Sequence, residues 1–321
     1  MNADTEIALP ERRSNRPITL GHRVEFIIAR ILLGFFRVIG IDAASFIAGK
    51  FLRITGPLIR PASRRGEENL RMAFPDWSDK KINAVMKDVW ENLGRTGAEY
   101  AHLDKLHVSG ENPRIISEGR DRVVDAFKNT NRAVFVTGHF ANWEVSGIAA
   151  HQQELKFAVI YRALNNPLLD EWIIEKRGQV MTRRQIPKGI AGARPLIDAL
   201  KQDYSLAFLA DQKLNTGGIR VPFMGFDAMT APAAARIAVR FNLPVIPNVV
   251  ERLNGAYFKV TSYDPIEFLP SGDLVGDVEA LTIKINEFLE TEIRKNPGQW
   301  LWLHRRWAIK GEPGAANGGR E

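Results

Sequence analysis

The chain of 321 residues contains no cysteine. That absence removes disulfide staples, thiolate zinc sites and a cysteine nucleophile together. It fits a reducing compartment without requiring one. Serine does not fill the gap, because no G-x-S-x-G elbow occurs and Ser146 falls inside a predicted helix. A covalent acyl-enzyme is therefore disfavoured. H-E-x-x-H is missing and the six histidines show no ligand spacing, so no metal is expected. Neither a P-loop nor G-x-G-x-x-G is present, which leaves no support for a nucleotide or dinucleotide cofactor. Aromatic-basic RNA motifs are also lacking, and nucleic acid is not an expected partner.

Long uncharged apolar runs are lacking too. A bilayer span needs about 20 mainly apolar residues, whereas HRVEFIIARILLGFFRVIGI is interrupted by Glu25 and by Arg23, Arg30 and Arg37. The three arginines are seven residues apart, so on a helix they form one basic stripe that drifts by ~20° per heptad. Such a helix can lie in a membrane interface, its apolar face buried and its arginines on lipid phosphates. A core helix of the soluble body is the plainer alternative.

What is present is the composition of a globular protein, 45% hydrophobic and 25% charged. A net charge of +7 and a pI near 9.6 favour an anionic partner: nucleic acid, a membrane surface or an acidic protein. Residues 1–20 are polar and are expected to be disordered. Residues 21–60 form the expected membrane-associating helical segment, residues 61–310 an α/β domain, and residues 311–321 a Gly-rich flexible tail. Within the domain, RIISEG, AVFVTG, FAVIYR, SLAFLAD, IRVPF, PVIPNVV and YFKVTSYD read as short strands. Helical stretches lie between several of them, which predicts an α/β sheet with helices on its faces. Ligand groups in such sheets come from loops at the strand carboxyl ends. His139, Arg162 and Asp211 each follow a strand in this way.

His139 and Glu144 bracket the heptapeptide GHFANWE after the strand AVFVT. On one continuous helix, five residues would separate them by about 140°. They can meet only if His139 lies in the turn and Glu144 in the first helical turn. Two accounts remain open. Glu144 complements the helix dipole behind an Asn142 cap, or its carboxylate holds one ring nitrogen of His139 while the other takes a proton from an alcohol.

HFANWE resembles the H-x4-D/E motif of membrane glycerolipid-type acyltransferases. YRALNNPLLD (161–170), FLADQ (208–212), VPFMGFDAMTAP (221–232), NPGQWLWLHRRW (296–307) and NLRMAFP (69–75) narrow the likeness. Together they resemble the lauroyl/myristoyl acyltransferases of lipid A biosynthesis, over roughly residues 20–310. The FPEGTR block of glycerol-3-phosphate and lysophosphatidate acyltransferases is missing.

The resemblance implies a glycerolipid-acyltransferase-like mixed sheet flanked by helices, with an N-terminal membrane-associating element. It implies an enzyme on the cytoplasmic face of the inner membrane, using acyl carrier protein as donor partner and a lipid A precursor as acceptor, without a cofactor. In that reading His139 is the general base and Glu144 orients it. Arg162 serves an oxyanion or phosphate, and Asp211 and Gln212 fix loops or the acceptor. Asn165 and Asn166 bind substrate or cap a helix. Arg305 and Arg306 are candidates for acceptor phosphates. The tryptophans of QWLWLHRRW line a membrane interface, a lipid pocket or the core, and Thr230 reads as a helix cap. A phosphatidylinositol mannoside or other glycolipid acyltransferase, an esterase or thioesterase, and a non-enzymatic membrane-binding protein are the competing readings.

Overall fold

The computed structural model describes residues 17–128, 130–214 and 217–307. The expected disordered N-terminus, apart from residues 17–20, and the expected tail lie outside these residues. Four helices come first: α1 (Leu20–Ile39), α2 (Ile41–Thr55), α3 (Arg60–Ala73) and α4 (Asp79–Glu99). Thr19 starts α1 by accepting from the His22 N–H at 3.2 Å, and the His22 ring returns a bond to the Thr19 N–H at 3.3 Å. This is a capping box with histidine in the place usually held by Glu or Gln. Gly40, at φ +82°, breaks α1 from α2 in a conformation that other residues adopt only under strain. Small residues of α2 (Ala44, Ser45, Ala48 and Gly49) let its backbone approach α4, where a Cβ at Gly94 would collide with the Ala48 carbonyl. The N-terminal helices are thereby seated on the body.

The rest alternates: β1 (Ile115–Glu118), α5 (Arg120–Phe127), β2 (Val134–Thr137), α6 (Glu144–Gln152), β3 (Phe157–Tyr161), α7 (Pro167–Val180), β4 (Gln185–Pro187), α8 (Ile190–Lys201) and β5 (Ser205–Leu209). A hairpin of β6 (Ile219–Phe223) and β7 (Phe226–Thr230) follows, turning through Met224 and Gly225, both at positive φ. Then come α9 (Ala233–Phe241), β8 (Val245–Asn254), β9 (Tyr257–Ser262) and α10 (Leu274–Lys295). Seven strands form one sheet in the order β1-β9-β8-β2-β5-β3-β4, parallel at every pairing except β8 with β9.

Each predicted strand is present. The sequence reading missed β4, which is only three residues long, and β7. Thr230 ends β7 and receives a bond from Arg306 rather than capping α9, whose N-cap is Pro232.

The period of two splits the strands between two cores. Val134, Val136, Ala158, Ile160, Leu206 and Phe208 face a core completed by α4, α9, α10 and the C-terminal tryptophans. Phe135, Phe157 and Ala207 face the opposite side, under α5 and α6. Trp300, Trp302 and Trp307 are all fully buried, so of the three readings of QWLWLHRRW the structure selects the core.

No helix among the described residues is long and apolar enough to cross a membrane. All three arginines of the α1 stripe are exposed, and two of them also touch the body. Arg37 makes a bidentate pair with Asp104 at 2.6 and 2.9 Å, and Arg30 stacks over Trp172. Apolar side chains share that outward surface: Ile31 and Val38 of α1 are 68% and 85% exposed, and Ile54 of α2 is 73% exposed.

Candidate active site

β2 and β5 are parallel neighbours with Thr137 beside Leu209. Continuing that register by two residues brings His139 beside Asp211, although 72 residues separate them. Asp211 grips residue 139 twice. Its Oδ2 accepts from the His139 backbone N–H at 2.7 Å, and its Oδ1 meets the ring Nδ1 at 2.7 Å. Trp300 Nε1 donates to Oδ2 at 2.8 Å. Burial alone would raise the Asp211 pKa. The charge and hydrogen bonds of His139 outweigh that penalty, and the carboxyl is held well below the usual carboxylate range. A carboxylate at Nδ1 requires a proton there, which leaves a lone pair on Nε2. Gln212 Nε2 lies 3.2 Å from His139 Nε2, placed to donate to that lone pair.

The loop after His139 is tied down from several directions. Leu301 N–H donates to the His139 carbonyl at 3.2 Å and Ala141 N–H to the Gln299 carbonyl at 2.8 Å. Asn142 Oδ1 accepts from Glu144 N–H at 3.3 Å while its Nδ2 donates to buried Glu99 at 2.9 Å. Trp143 stands edge-on to the His139 ring, with centroids 5.0 Å apart.

Glu144 is not the partner of His139. Its carboxylate accepts from Arg177 Nε at 2.8 Å, from Arg177 Nη2 and from the Tyr100 hydroxyl, all in a buried setting. Burial would raise its pKa, but the Arg177 charge and hydrogen bonds hold it below the ordinary value. The expected His–Glu contact is thus replaced by a His–Asp contact across strands, and Glu144 joins α6 to α7. Ser146 donates its hydroxyl to the Trp143 carbonyl, which makes it a helix residue and not a nucleophile.

The remaining candidates separate. Arg162 is exposed, one residue beyond β3, at the same carboxyl edge as His139 and Asp211. Asn166 is the N-cap of α7, accepting from Leu168 N–H at 3.0 Å, and it donates to the His22 carbonyl and to Glu25 of α1. These contacts tie the start of α7 to α1, and the neighbouring Asn165 is exposed. Arg305 is exposed, whereas Arg306 is fully buried, donating to Thr230 Oγ1 at 2.9 Å with its guanidinium 4.2 Å from the Phe223 ring centroid. Arg306 is therefore a core residue and not a phosphate ligand.

The sequence reading assigned no role in the site to Trp300, His304, Tyr100, Arg177 or Lys188. The dense aromatic-basic block QWLWLHRRW was the available signal for the first two. His304 lies 6.4 Å from His139, centroid to centroid, and burial pushes its pKa down to about 4 against the pull of Asp211.

A cavity of about 290 Å³ lies beneath α5 and α6 on one face of the sheet. Phe135, Phe157, Val159, Ala207 and Met181 give it apolar walls, and Trp143 and Glu144 line it where it nears the strand ends. Trp143 thus touches both the cavity and the His139 ring. Among the described residues there is no group of three or more His, Asp or Glu that could hold a metal ion.

Fold and site together define an α/β protein whose buried His–Asp pair sits at the carboxyl ends of adjacent parallel strands, beside an apolar cavity. Residues 17–308 match the family described as bacterial lipid A biosynthesis acyltransferase, and the chain belongs to that family of acyltransferases. It is 23% identical over 266 residues to the lipid A biosynthesis myristoyltransferase of Escherichia coli (strain K12), covering 80% of this chain and 78% of that protein. Identity to the palmitoleoyltransferase of the same organism is 25% over 263 residues, covering 79% and 83% of the two chains. For its lauroyltransferase the identity is 26% over 255 residues, covering 76% and 78%.

Proposed function

We propose that this enzyme moves a fatty acyl chain from the thioester of acyl carrier protein to a hydroxyl of a lipid A precursor in one direct transfer. The observation that carries the chemistry is the Asp211 carboxylate 2.7 Å from His139 Nδ1, which leaves Nε2 as the base. The acceptor hydroxyl displaces the Gln212 amide from Nε2. As its oxygen attacks the thioester carbonyl, its proton passes to His139. The new C–O bond forms, the C–S bond breaks, and the imidazolium returns the proton to the departing thiolate. Asp211 stabilises the imidazolium between the two transfers. Arg162, exposed at the same edge, is the cation assigned to meet negative charge on the substrates. The apolar cavity behind Trp143 suits the acyl chain.

The names of the relatives support the lipid A acceptor. The outward apolar faces of α1 and α2 support association with the membrane plane, on the cytoplasmic face of the inner membrane where the donor is made. The deciding experiment incubates purified full-length protein with radiolabelled acyl–acyl carrier protein, with and without lipid A precursor. Label appearing in lipid only when acceptor is present supports transfer. Release of free fatty acid at the same rate with or without acceptor would make it a thioesterase.

A further inference from the structure

β3 and β4 are parallel neighbours, with Tyr161 beside Pro187. The next residue on each strand is a cation, so Arg162 and Lys188 stand side by side at the carboxyl edge, with the Lys188 N–H donating to the Tyr161 carbonyl at 2.7 Å. Neighbouring strands are about 4.8 Å apart, so both long cationic side chains start from adjacent backbone positions and can reach one ligand. No carboxylate lies within ion-pair distance of either residue among the described residues. The acid that acts on Lys188 is Asp211, whose two oxygens are already taken by His139 and Trp300. Lys188 is exposed at the surface; desolvation by the adjoining strand ends depresses its pKa, Asp211 opposes this and Arg162 adds a smaller part.

Two exposed cations without an acidic partner, at adjacent strand ends on the edge that carries the base, form a site open to an anion. We propose that Arg162 and Lys188 together bind a phosphate group of a substrate during transfer. Guanidinium and ammonium suit this chemistry, one as a planar fork and the other as a point charge. Strand order places His139, Asp211, Arg162 and Lys188 in a row across β2, β5, β3 and β4. The phosphate therefore sits on the β4 side of the reacting carbonyl. Two substrates of the proposed reaction carry such a group: the phosphodiester of the donor's pantetheine arm and a sugar phosphate of the acceptor. The identity of the substrates rests on the proposed function; the anion site itself does not.

Two measurements on the full-length protein test this separately. Millimolar inorganic pyrophosphate should raise the thermal midpoint of the unaltered protein and of Arg236→Ala, an exposed arginine of α9 that controls for net charge. The rise should be lost in Lys188→Ala and Arg162→Ala and recovered in Lys188→Arg. No rise in the unaltered protein, or an equal rise in every variant, overturns the site.

The second measurement compares transfer rates for donors with and without the pantetheine phosphate, and for acceptors with and without the sugar phosphate. In Lys188→Ala the preference for the phosphorylated form of one substrate should fall at least about tenfold, the size expected for one charge-assisted hydrogen bond. The substrate whose preference falls is the one whose phosphate is held. Unchanged preference for both overturns the proposal even where pyrophosphate binds. If the unaltered protein transfers nothing, the proposed function fails and pyrophosphate alone decides the site.

Discussion

Asp211 and Glu144 are both buried carboxylates, one beside His139 across the strands and the other five residues along the chain from it, yet they do different work. Asp211 holds the ring nitrogen, and Glu144 holds Arg177 and Tyr100. His139→Ala should lower turnover by about 10²–10⁴, the usual contribution of a positioned base. Asp211→Asn should cost a similar factor, because an amide at that position can present its NH₂ to Nδ1 and reverse the tautomer that leaves Nε2 free. Glu144→Gln should show itself first as lost stability, on the order of 3 kcal/mol or more, since it strips the partner from a buried arginine. Chemical denaturation beside a pH–rate profile separates the two. The acid limb of the profile should shift in Asp211→Asn and stay in place in Glu144→Gln. An unchanged acid limb in Asp211→Asn would return the orienting role to another group. The sequence brought His139 and Asp211 forward as strand-end residues but gave the partnership to Glu144, because closeness along the chain was the only distance available. Which strand lies beside β2 is a property of the fold.

At the level of elements, the strands were legible because β-branched and aromatic runs of four to six residues were bounded by turn residues. The sequence reading missed β4, since QIP is too short to show any alternation. The arginine stripe of α1 was visible, but its direction was not. Periodicity shows that two faces differ and says nothing about which one meets the body. Here Arg37 pairs with Asp104 and Arg30 lies over Trp172 while all three arginines stay exposed, and apolar residues of α1 and α2 are exposed beside them. Exposed apolar side chains in this number on two neighbouring helices point to an interaction site. Replacing Ile31, Phe51 and Ile54 together by serine should weaken binding to anionic vesicles by at least about tenfold, given roughly 1 kcal/mol or more for each buried apolar side chain. Circular dichroism should be unchanged, because these side chains make little use of the protein interior. Undiminished co-sedimentation of the triple variant with vesicles would show that another surface carries the attachment.

Over the whole molecule, the acids and bases of the site are joined by a long return of the chain. α10 carries it back so that Trp300 reaches Asp211 and His304 approaches His139. This joining makes acid stability a property of the site as well as of the fold. His304 is buried neutral, with a pKa of about 4 against 6.5 when free. As pH falls from about 6.5 towards 4, the unfolded chain takes up a proton that the folded chain refuses, and folding loses up to about 3 kcal/mol in that window. Asp211 and Glu144 act lower down. Their folded pKa values are depressed, so their contribution is complete above the ordinary carboxylate range and is lost only as pH drops through their folded values. Urea midpoints should therefore decline in two stages, a shallow one above pH 4 and a steep one below it. His304→Phe keeps a ring against Trp300 but has nothing to titrate. It should flatten the first stage and leave the second intact. If the decline between pH 6.5 and 4 is as steep in His304→Phe as in the unaltered protein, the buried imidazole is not its source.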